Sequence, residues 1–197
     1  MGAHGMIAKG GFLWEEFINI PLIIRAPHSS GKGFVSDAIF SFTDFVPTLL
    51  DMTGIDNHSM GCDGIIQTPV VNGDVCEIRN NATIHHPYSS HGHDGTLPDI
   101  RAIVTKRWKL IYYASDPNGE LYDLQNDPKE EDNLYSSPEY GQIRHELTIE
   151  LLDQIIRQNN KDAVNSAKTA DNYGRHEMTY KTWKTEFDQL RKQTGRE

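Results

Sequence analysis

A glycine-rich segment that carries His4 and Lys9 stands directly before an apolar run at residues 20–25. The run is short and rich in β-branched residues, and Pro27 follows it, which is typical of a buried strand. Glycine lets a backbone approach a ligand closely, and the lysine ammonium can donate three hydrogen bonds to an anion. Loops at the edge of a sheet usually carry the chemistry of α/β proteins. The opening of the chain therefore predicts a strand of an α/β domain beside a candidate anion-binding loop.

The second half of the chain predicts a small antiparallel sheet with a helix packed on it. Four segments have the composition of strands, at residues 81–85, 101–105, 108–113 and 120–124. The two middle segments flank a two-residue turn, which indicates a hairpin. Between residues 143 and 159, apolar side chains recur every four positions, and this spacing predicts an amphipathic helix with one face on the sheet.

The remaining elements are shorter. Residues 36–40 predict another short strand, and Thr43 is a plausible N-cap of a helix that Gly54 ends. Residues 55–100 are rich in Gly, Asn, Asp, His and Pro and are interpreted mainly as loop. The helical pattern weakens after Asn160, and residues 180–191 predict a final short helix.

Composition excludes some classes of function. The chain has 197 residues, a formal charge of -9 and 37% hydrophobic residues, and its mean hydropathy is -0.57. Nucleic-acid binding is disfavoured because no basic stripe is present to neutralise phosphates. No run is long enough to predict a membrane span. A polar tail, or a fragment that relies on a partner surface, would each explain the low hydropathy.

Four blocks of the chain resemble, in the same order, the later part of type I sulfatases, which belong to the alkaline-phosphatase-like superfamily. The blocks are residues 2–5 with Lys9, Gly10, Glu15, Glu16 and residues 20–23; residues 43–54; Asp63 with Gly64; and residues 120–124 with Asp127, Pro128, Glu130, Asn133 and Leu134. The resemblance implies an α/β fold, namely the C-terminal fragment of an alkaline-phosphatase-like α/β domain plus a small antiparallel sheet packed with a C-terminal helix. It divides the chain into the end of the catalytic domain (1–80), a C-terminal subdomain (81–160) and a polar tail (161–197).

The resemblance also implies roles for three side chains. In sulfatases the lysine of this loop binds the sulfate and stabilises the leaving oxygen, so the resemblance assigns that catalytic role to Lys9. The alternative is that Lys9 is a solvated surface lysine. His4 could bind substrate in the same pocket, or it could order the loop through the backbone. His86 is a candidate to bind sugar hydroxyls or an anionic group at the pocket rim.

The histidines near His86 form a cluster that invites a zinc interpretation. His85, His91 and His93 lie close to it in sequence, beside Asp94, and neutral imidazoles are good zinc ligands. Their spacing fits no standard closed site, so a pocket rim is favoured and no metal ligand is predicted.

Five acidic residues of the motif blocks are interpreted as structural. Glu15 and Glu16 could supply paired carboxylates for acid–base catalysis, but we expect one of them to pair with a nearby base or to cap the backbone. The other three are expected to hold the corner between the sheet and the last helix; they are Asp123, Asp127 and Glu130.

The chemistry that sulfatases need is expected outside this chain. Their nucleophile is a cysteine or serine in Cys/Ser-x-Pro-x-Arg, converted to formylglycine beside calcium, and neither Cys62 nor Cys76 has that context. The two cysteines could form one disulfide, although two unpaired thiols are favoured. The metal-binding Asp-His or Asp-Asn pair of the relatives is expected to precede Met1. We therefore expect calcium and formylglycine only in a longer parent protein, and no turnover from this chain alone.

The resemblance leaves the substrate and the partners open. A sulfated small molecule or glycan is expected, with the ester on a sugar or an aryl group. The alternatives are a phosphonate or phosphate monoester hydrolase of the same superfamily, or a non-catalytic interaction fragment. An exposed apolar face at residues 22–24 would indicate the last of these, a non-catalytic interaction fragment. Such a fragment could bind the missing N-terminal part or self-associate.

Overall fold

The computed structural model describes residues 4, 12–26, 33–55, 62–87, 99–114 and 116–171, without the side chains of residues 160–171. The chain divides into two compact units, Met1–Ile155 and Ile156–Glu197. The described part of the second unit is the continuation of the last helix. None of the described helices combines the length and apolar character needed to cross a membrane.

The first unit contains short helices, a sheet and the first part of a long helix. The elements in chain order are α1 (Glu15–Ile18), a 3-10 turn (Phe42–Asp44), α2 (Phe45–Met52), α3 (Thr68–Asn72), β1 (Asn81–His86), β2 (Ile100–Thr105), β3 (Trp108–Tyr113), β4 (Glu120–Asp123), a second 3-10 turn (Pro138–Tyr140) and α4 (Gly141–Asp171). The helix expected at residues 143–159 is confirmed, and it continues past the point where its sequence pattern weakens. The helix predicted at residues 180–191 lies outside the described residues.

The four strands form one antiparallel sheet in the order β1-β2-β3-β4. The predicted hairpin joins β2 to β3, with Val104 opposite Lys109. Thr105 closes its turn, because its hydroxyl accepts hydrogen bonds from the backbone of Arg107 at 3.3 Å and of Trp108 at 2.8 Å. All four predicted strands are confirmed, and each strand pairs with the next one along the chain.

The sheet has a buried cluster on each face, as strand alternation requires. One cluster joins β2, β3 and β4 to α4; its members are Ile103, Leu110, Leu121, Leu147 and Leu151. The other joins the same strands to the N-terminal segment; its members are Leu13, Ile100, Ala102, Ile111 and Tyr122. The predicted packing of the helix on the sheet is confirmed, and the N-terminal segment covers the opposite face.

The strand predicted at residues 20–25 is wrong. The structure gives this segment no regular secondary structure, and its apolar side chains are exposed, with Ile23 at 94% and Ile20 at 64%. A buried strand needs a neighbouring strand to pair with its backbone, and the described residues place none beside it. The short strand predicted at residues 36–40 is also wrong, and the predicted loop at residues 55–100 contains α3.

The helix α2 begins differently from the prediction. Thr43 lies inside the 3-10 turn and is not the N-cap. Instead, the backbone N–H of Ser41 donates to the Asp44 carboxylate at 3.0 Å. The end of the helix follows the prediction, because Gly54 adopts a positive φ of 71° just beyond Met52.

The Asp44 carboxylate is a buried junction. It accepts hydrogen bonds from the backbone of Ile65 at 2.8 Å, from Gln67 Nε2 at 3.1 Å and from Arg79 Nη1 at 2.7 Å. The charge of Arg79 compensates the buried carboxylate, as burial of an ion requires. This junction ties α2 to the segment that leads into β1.

Gly64 passes so close to the 3-10 turn that no side chain fits. A Cβ atom built on Gly64 would lie 2.0 Å from the Thr43 carbonyl oxygen. This contact is the physical reason for a glycine in the Asp63-Gly64 block, and it brings Ile65 within reach of Asp44.

A second buried ion cluster ties α1 to the sheet. The ammonium of Lys109, on β3, lies 2.6 Å from Glu15 Oε1 and 2.7 Å from Glu130 Oε1. The backbone N–H of Glu15 donates to Glu130 at 2.6 Å. Burial raises the pKa of Glu130 above its ordinary value, and the hydrogen bond from Lys109 opposes that shift. The expectation that one residue of the Glu15-Glu16 pair binds a nearby base is confirmed.

The corner after β4 is built by the predicted acidic residues. Asp123 accepts hydrogen bonds from Arg107 and Asn126, both at 2.9 Å. Asp127 accepts from the backbone of Glu131 at 3.1 Å and of Asp132 at 2.9 Å. Their interpretation as turn residues is therefore confirmed.

Candidate substrate-binding site

The described part of the N-terminal segment is organised around the indole of Trp14. The His4 imidazole stacks on it with ring centroids 3.9 Å apart and planes 17° apart. Phe12 stacks on the same indole at 4.5 Å with parallel planes. One tryptophan therefore holds the two described residues that flank Lys9 in the sequence.

The Trp14 indole is anchored to the sheet by Glu120, the first residue of β4. Indole Nε1 donates to Glu120 Oε2 at 3.1 Å. The Tyr122 hydroxyl donates to the same oxygen at 2.8 Å, and the Tyr113 hydroxyl donates to Oε1 at 2.5 Å. The carboxylate accepts hydrogen bonds from three different side chains, so its position is fixed from three directions.

The two tyrosines remain donors over the physiological pH range. Burial raises the pKa of Tyr113, and its hydrogen bond to Glu120 raises it further. The pKa of Tyr122 is raised by the same two causes. Both hydroxyls therefore keep their protons, and the Glu120 carboxylate keeps its role as acceptor.

The His4 side chain is mostly covered, and its Nε2 lies 3.8 Å from Glu16 Oε2. His4 also adopts a positive φ of 51°, a conformation that is uncommon for a residue other than glycine. Stacking on Trp14 and the nearby Glu16 carboxylate thus restrict the ring, while its backbone occupies a sparsely populated region.

His86 ends β1 on the face of the sheet that the N-terminal segment covers. It pairs with Ile100, whose side chain belongs to the cluster that contains Leu13, and paired residues of antiparallel strands point to the same face. Its ring Nδ1 lies 3.3 Å from the Pro87 carbonyl oxygen. His4 and His86, the two predicted substrate-binding residues, therefore belong to the same side of the sheet.

The histidine cluster is divided by the strand. His85 precedes His86 directly, so it points to the other face, where its Nε2 lies 2.9 Å from Asp99 Oδ1. The other cluster members, His91, His93 and Asp94, lie outside the described residues. Among the residues that the structure does describe, no group of three or more His, Cys, Asp or Glu side chains could hold a metal ion.

The cofactors of sulfatases do not fit the described residues. Cys62 and Cys76 are both free thiols, as the favoured interpretation predicted, and neither stands in the sequence context that formylglycine requires. The described carboxylates supply no ligand set for calcium. Lys9, the predicted catalytic residue, lies outside the described residues, and its role stays a prediction.

Sequence reasoning missed Trp14 and Glu120. Strand alternation contains a partial signal, because Glu120 shares a face with Tyr122, two residues along β4. The contact itself joins residues that are 106 positions apart in the sequence. Hydrophobic periodicity and turn residues predict only local structure, so they do not indicate a contact between residues so far apart.

The chain is similar to known sulfatases over most of its length. The family described as "N-sulphoglucosamine sulphohydrolase, C-terminal" matches residues 2–158. The N-acetylglucosamine-6-O-sulfatase of Bacteroides thetaiotaomicron is 32% identical over 162 residues, which are 80% of this chain and 28% of that protein. The uncharacterized sulfatase YidJ of Escherichia coli is 33% identical over 158 residues, which are 79% of this chain and 30% of that protein.

A solved structure shares the fold. It is described as being in complex with its substrate, D-glucosamine-2-N,6-O-disulfate, and it aligns with a TM-score of 0.61 and 29% identity. The alignment covers 71% of this chain and 28% of that one, so the chain spans less than a third of each of these three relatives. The mixed architecture is thus that of the C-terminal part of an alkaline-phosphatase-like sulfatase, and the chain belongs to the sulfatase family, in its N-sulphoglucosamine sulphohydrolase C-terminal group.

Proposed function

We propose that this chain is the C-terminal part of a sulfatase that hydrolyses sulfate esters of an amino sugar. The observation that carries the proposal is the 32% identity, over 80% of the chain, with an N-acetylglucosamine-6-O-sulfatase. The structural relative in complex with D-glucosamine-2-N,6-O-disulfate supports the same substrate class. A sulfated glycan or glycan fragment is therefore the substrate class that we propose.

Within that reaction, Lys9 is proposed to bind the sulfate and to stabilise the leaving oxygen. A preorganised cation lowers the barrier because negative charge develops on that oxygen as the S–O bond breaks. His4 and His86 are proposed to contact the sugar or its anionic group, since imidazoles can both donate and accept hydrogen bonds. Both histidines lie on one side of the sheet, but His86 is on β1 at one edge, whereas His4 stacks on the indole that β4 holds at the other edge. A ligand that contacts both must therefore extend across the sheet, as a glycan longer than one sugar would.

The proposed partner is the remainder of a sulfatase catalytic domain. The chain spans 28% of its relative from Bacteroides thetaiotaomicron, and large apolar side chains of its first half are exposed; they include Ile20, Leu22, Ile23, Phe34, Val35 and Phe42. Contiguous exposed apolar surface marks interaction sites. Nucleophile and metal ligands would then come from the partner part, and the isolated chain would be inactive.

A binding experiment tests the proposal on the chain as it stands. Titration with glucosamine 6-sulfate, followed by NMR, is expected to shift resonances of His4 and His86, whereas unsulfated glucosamine is not. Lys9→Ala is expected to weaken binding by about tenfold, equivalent to about 1.4 kcal/mol. The matched control is Lys129→Ala, which removes another lysine from an exposed position and is expected to leave the affinity unchanged.

Two outcomes would contradict the proposal. One is tighter binding of glucosamine 6-phosphate than of the sulfate, which would favour a phosphate ester hydrolase. The other is calcium-dependent hydrolysis of an aryl sulfate by the isolated chain, which would refute the expectation that the chain alone is inactive.

A further inference from the structure

We propose that Trp14 and Glu120 are positioning residues that fix the His4 imidazole for substrate binding. The inference rests on the proposed function of His4 and adds the device that holds it. The contact between Trp14 and Glu120 joins the N-terminal segment to β4. No motif in the sequence indicates this contact.

The first step is the stack of His4 on Trp14. Ring centroids 3.9 Å apart and an angle of 17° between the planes place the imidazole in direct contact with the indole face. This contact restricts the plane of the imidazole but leaves its ring nitrogens at the edge. One of them, Nε2, faces Glu16 at 3.8 Å.

The second step is the anchor of the indole. A stacked platform orients its partner only if the platform itself cannot rotate, and the hydrogen bond from Nε1 to Glu120 Oε2 at 3.1 Å prevents that rotation. Phe12 packs parallel to the indole at 4.5 Å and restricts it further. The orientation of His4 is therefore set by a strand of the sheet.

The third step is the rigidity of Glu120. Its carboxylate also accepts hydrogen bonds from Tyr113 and Tyr122. Glu120 pairs with Ile111 across the β3–β4 ladder, and the Ile111 side chain is completely buried. Side chains held by such support bind ligands with less loss of conformational freedom.

The experiment compares variants that each remove one donor from the same carboxylate. Trp14→Phe removes the indole N–H and keeps an aromatic ring, whereas Tyr122→Phe removes a hydroxyl donor and keeps the Trp14 anchor. The readout is the NMR shift of the His4 imidazole protons, which the indole ring current displaces in the wild-type chain. A second readout is the affinity for glucosamine 6-sulfate.

The inference predicts opposite results for the two variants. In Trp14→Phe, the His4 resonances move to the values of an unstacked histidine, and the affinity falls by about tenfold. In Tyr122→Phe, the His4 shift is retained. Glu120→Ala reproduces the Trp14→Phe result, and Glu120→Gln restores the wild-type shift because its amide oxygen still accepts from the indole.

Failure of the inference and failure of the proposed function are distinguishable. If the wild-type chain shows the stacked His4 shift but does not bind glucosamine 6-sulfate, the binding role of His4 is refuted. If Trp14→Phe and Glu120→Ala both leave the His4 shift and the affinity at wild-type values, then neither residue positions His4. If Glu120→Ala does not fold, the affinity of Trp14→Phe decides the question, because this variant keeps an aromatic ring and loses the donor to Glu120.

Discussion

The sheet buries most of the apolar side chains of its strands, whereas many large apolar side chains of the region before it, residues 12–80, are exposed beyond Leu13. Ile103 in β2 is completely buried, whereas Ile23 in the earlier region is 94% exposed. The sheet region meets its own partners within the chain, with one cluster on each face. The earlier region is ordered mainly by polar junctions such as Asp44–Arg79. An apolar pattern therefore predicts burial only where the surface that covers it is present.

The largest loss of unfolding free energy is expected from Lys109→Met, which removes the cation from the ion cluster between the two regions. It leaves the buried Glu130 carboxylate without its cation, and breaking a buried pair costs about 3–5 kcal/mol of unfolding free energy. Urea unfolding at neutral pH measures the loss. The deficit is expected to shrink as the pH falls, because protonation of Glu130 removes the unpaired charge.

Lys106→Met is the control for that variant. Lys106 also pairs with a glutamate, Glu77, but both side chains are about half exposed. Its unfolding midpoint is expected to stay at the wild-type value. An equal loss in both variants would contradict the distinction between a buried and an exposed pair.

The next effect is expected from Ile103→Ala, compared with Ile23→Ala. The first change empties part of a packed core and is expected to cost about 2–5 kcal/mol. The second removes the same atoms from an exposed position and is expected to change stability by less than about 0.5 kcal/mol. Chemical denaturation of both variants tests the comparison, and a large loss for Ile23→Ala would mean that the segment is covered.

A smaller loss is expected from Gly64→Ala in the earlier region. The new methyl group would lie 2.0 Å from the Thr43 carbonyl oxygen, so the backbone must move, at a cost of about 1–3 kcal/mol. The control is Gly54→Ala, where the space is open but φ is 71°, and about 1 kcal/mol of conformational strain is expected. Thermal unfolding of the two variants ranks them, and the opposite order would refute the close-approach argument.

The smallest effect is expected from Asp123→Asn, and it depends on pH. The hydrogen bond from Arg107 lowers the pKa of Asp123 below its ordinary value of 3.8. The charged carboxylate therefore stabilises the fold above pH 3.8, and this contribution is lost as the pH falls through the lowered pKa. The effect is small because Arg107 is 52% exposed and solvent screens the pair.

Urea unfolding between pH 2.5 and 7 tests that dependence. The difference in stability between wild type and Asp123→Asn is expected to be constant near neutral pH and to shrink below pH 4. Asp51→Asn, an exposed position in α2, is the control and is expected to track the wild type. A difference that does not vary with pH would refute the role of the ionised carboxylate.

Local patterns predicted the elements whose partners lie nearby in the sequence. The β2–β3 hairpin follows from two strand-forming segments around a two-residue turn, and α4 follows from its four-residue apolar period. The prediction failed at residues 20–25, because β-branched composition reports a preference for extended backbone and not the presence of a neighbouring strand. Thr43 is not the N-cap because Ser41, two residues earlier, takes that position. The backbone N–H of Ser41 donates to the carboxylate of Asp44, three residues after it.

The candidate site was predictable only in part. The resemblance of residues 2–16 to sulfatases identified Lys9 and His4, and the family match over residues 2–158 confirms that resemblance. The anchor of Trp14 on Glu120 could not be predicted, since it depends on where two distant segments meet.

By itself, the sequence determined the hairpin and the long helix, because each is encoded by residues close together in the chain. It also determined the family, because the four motif blocks are residue patterns that need no fold to be recognised. Tertiary structure alone decided which charges are buried together, as with Lys109, Glu15 and Glu130, and which carboxylate holds the indole beside His4. The physical reason is that burial and hydrogen-bond satisfaction depend on every segment that packs against a group, and such segments can lie a hundred residues away.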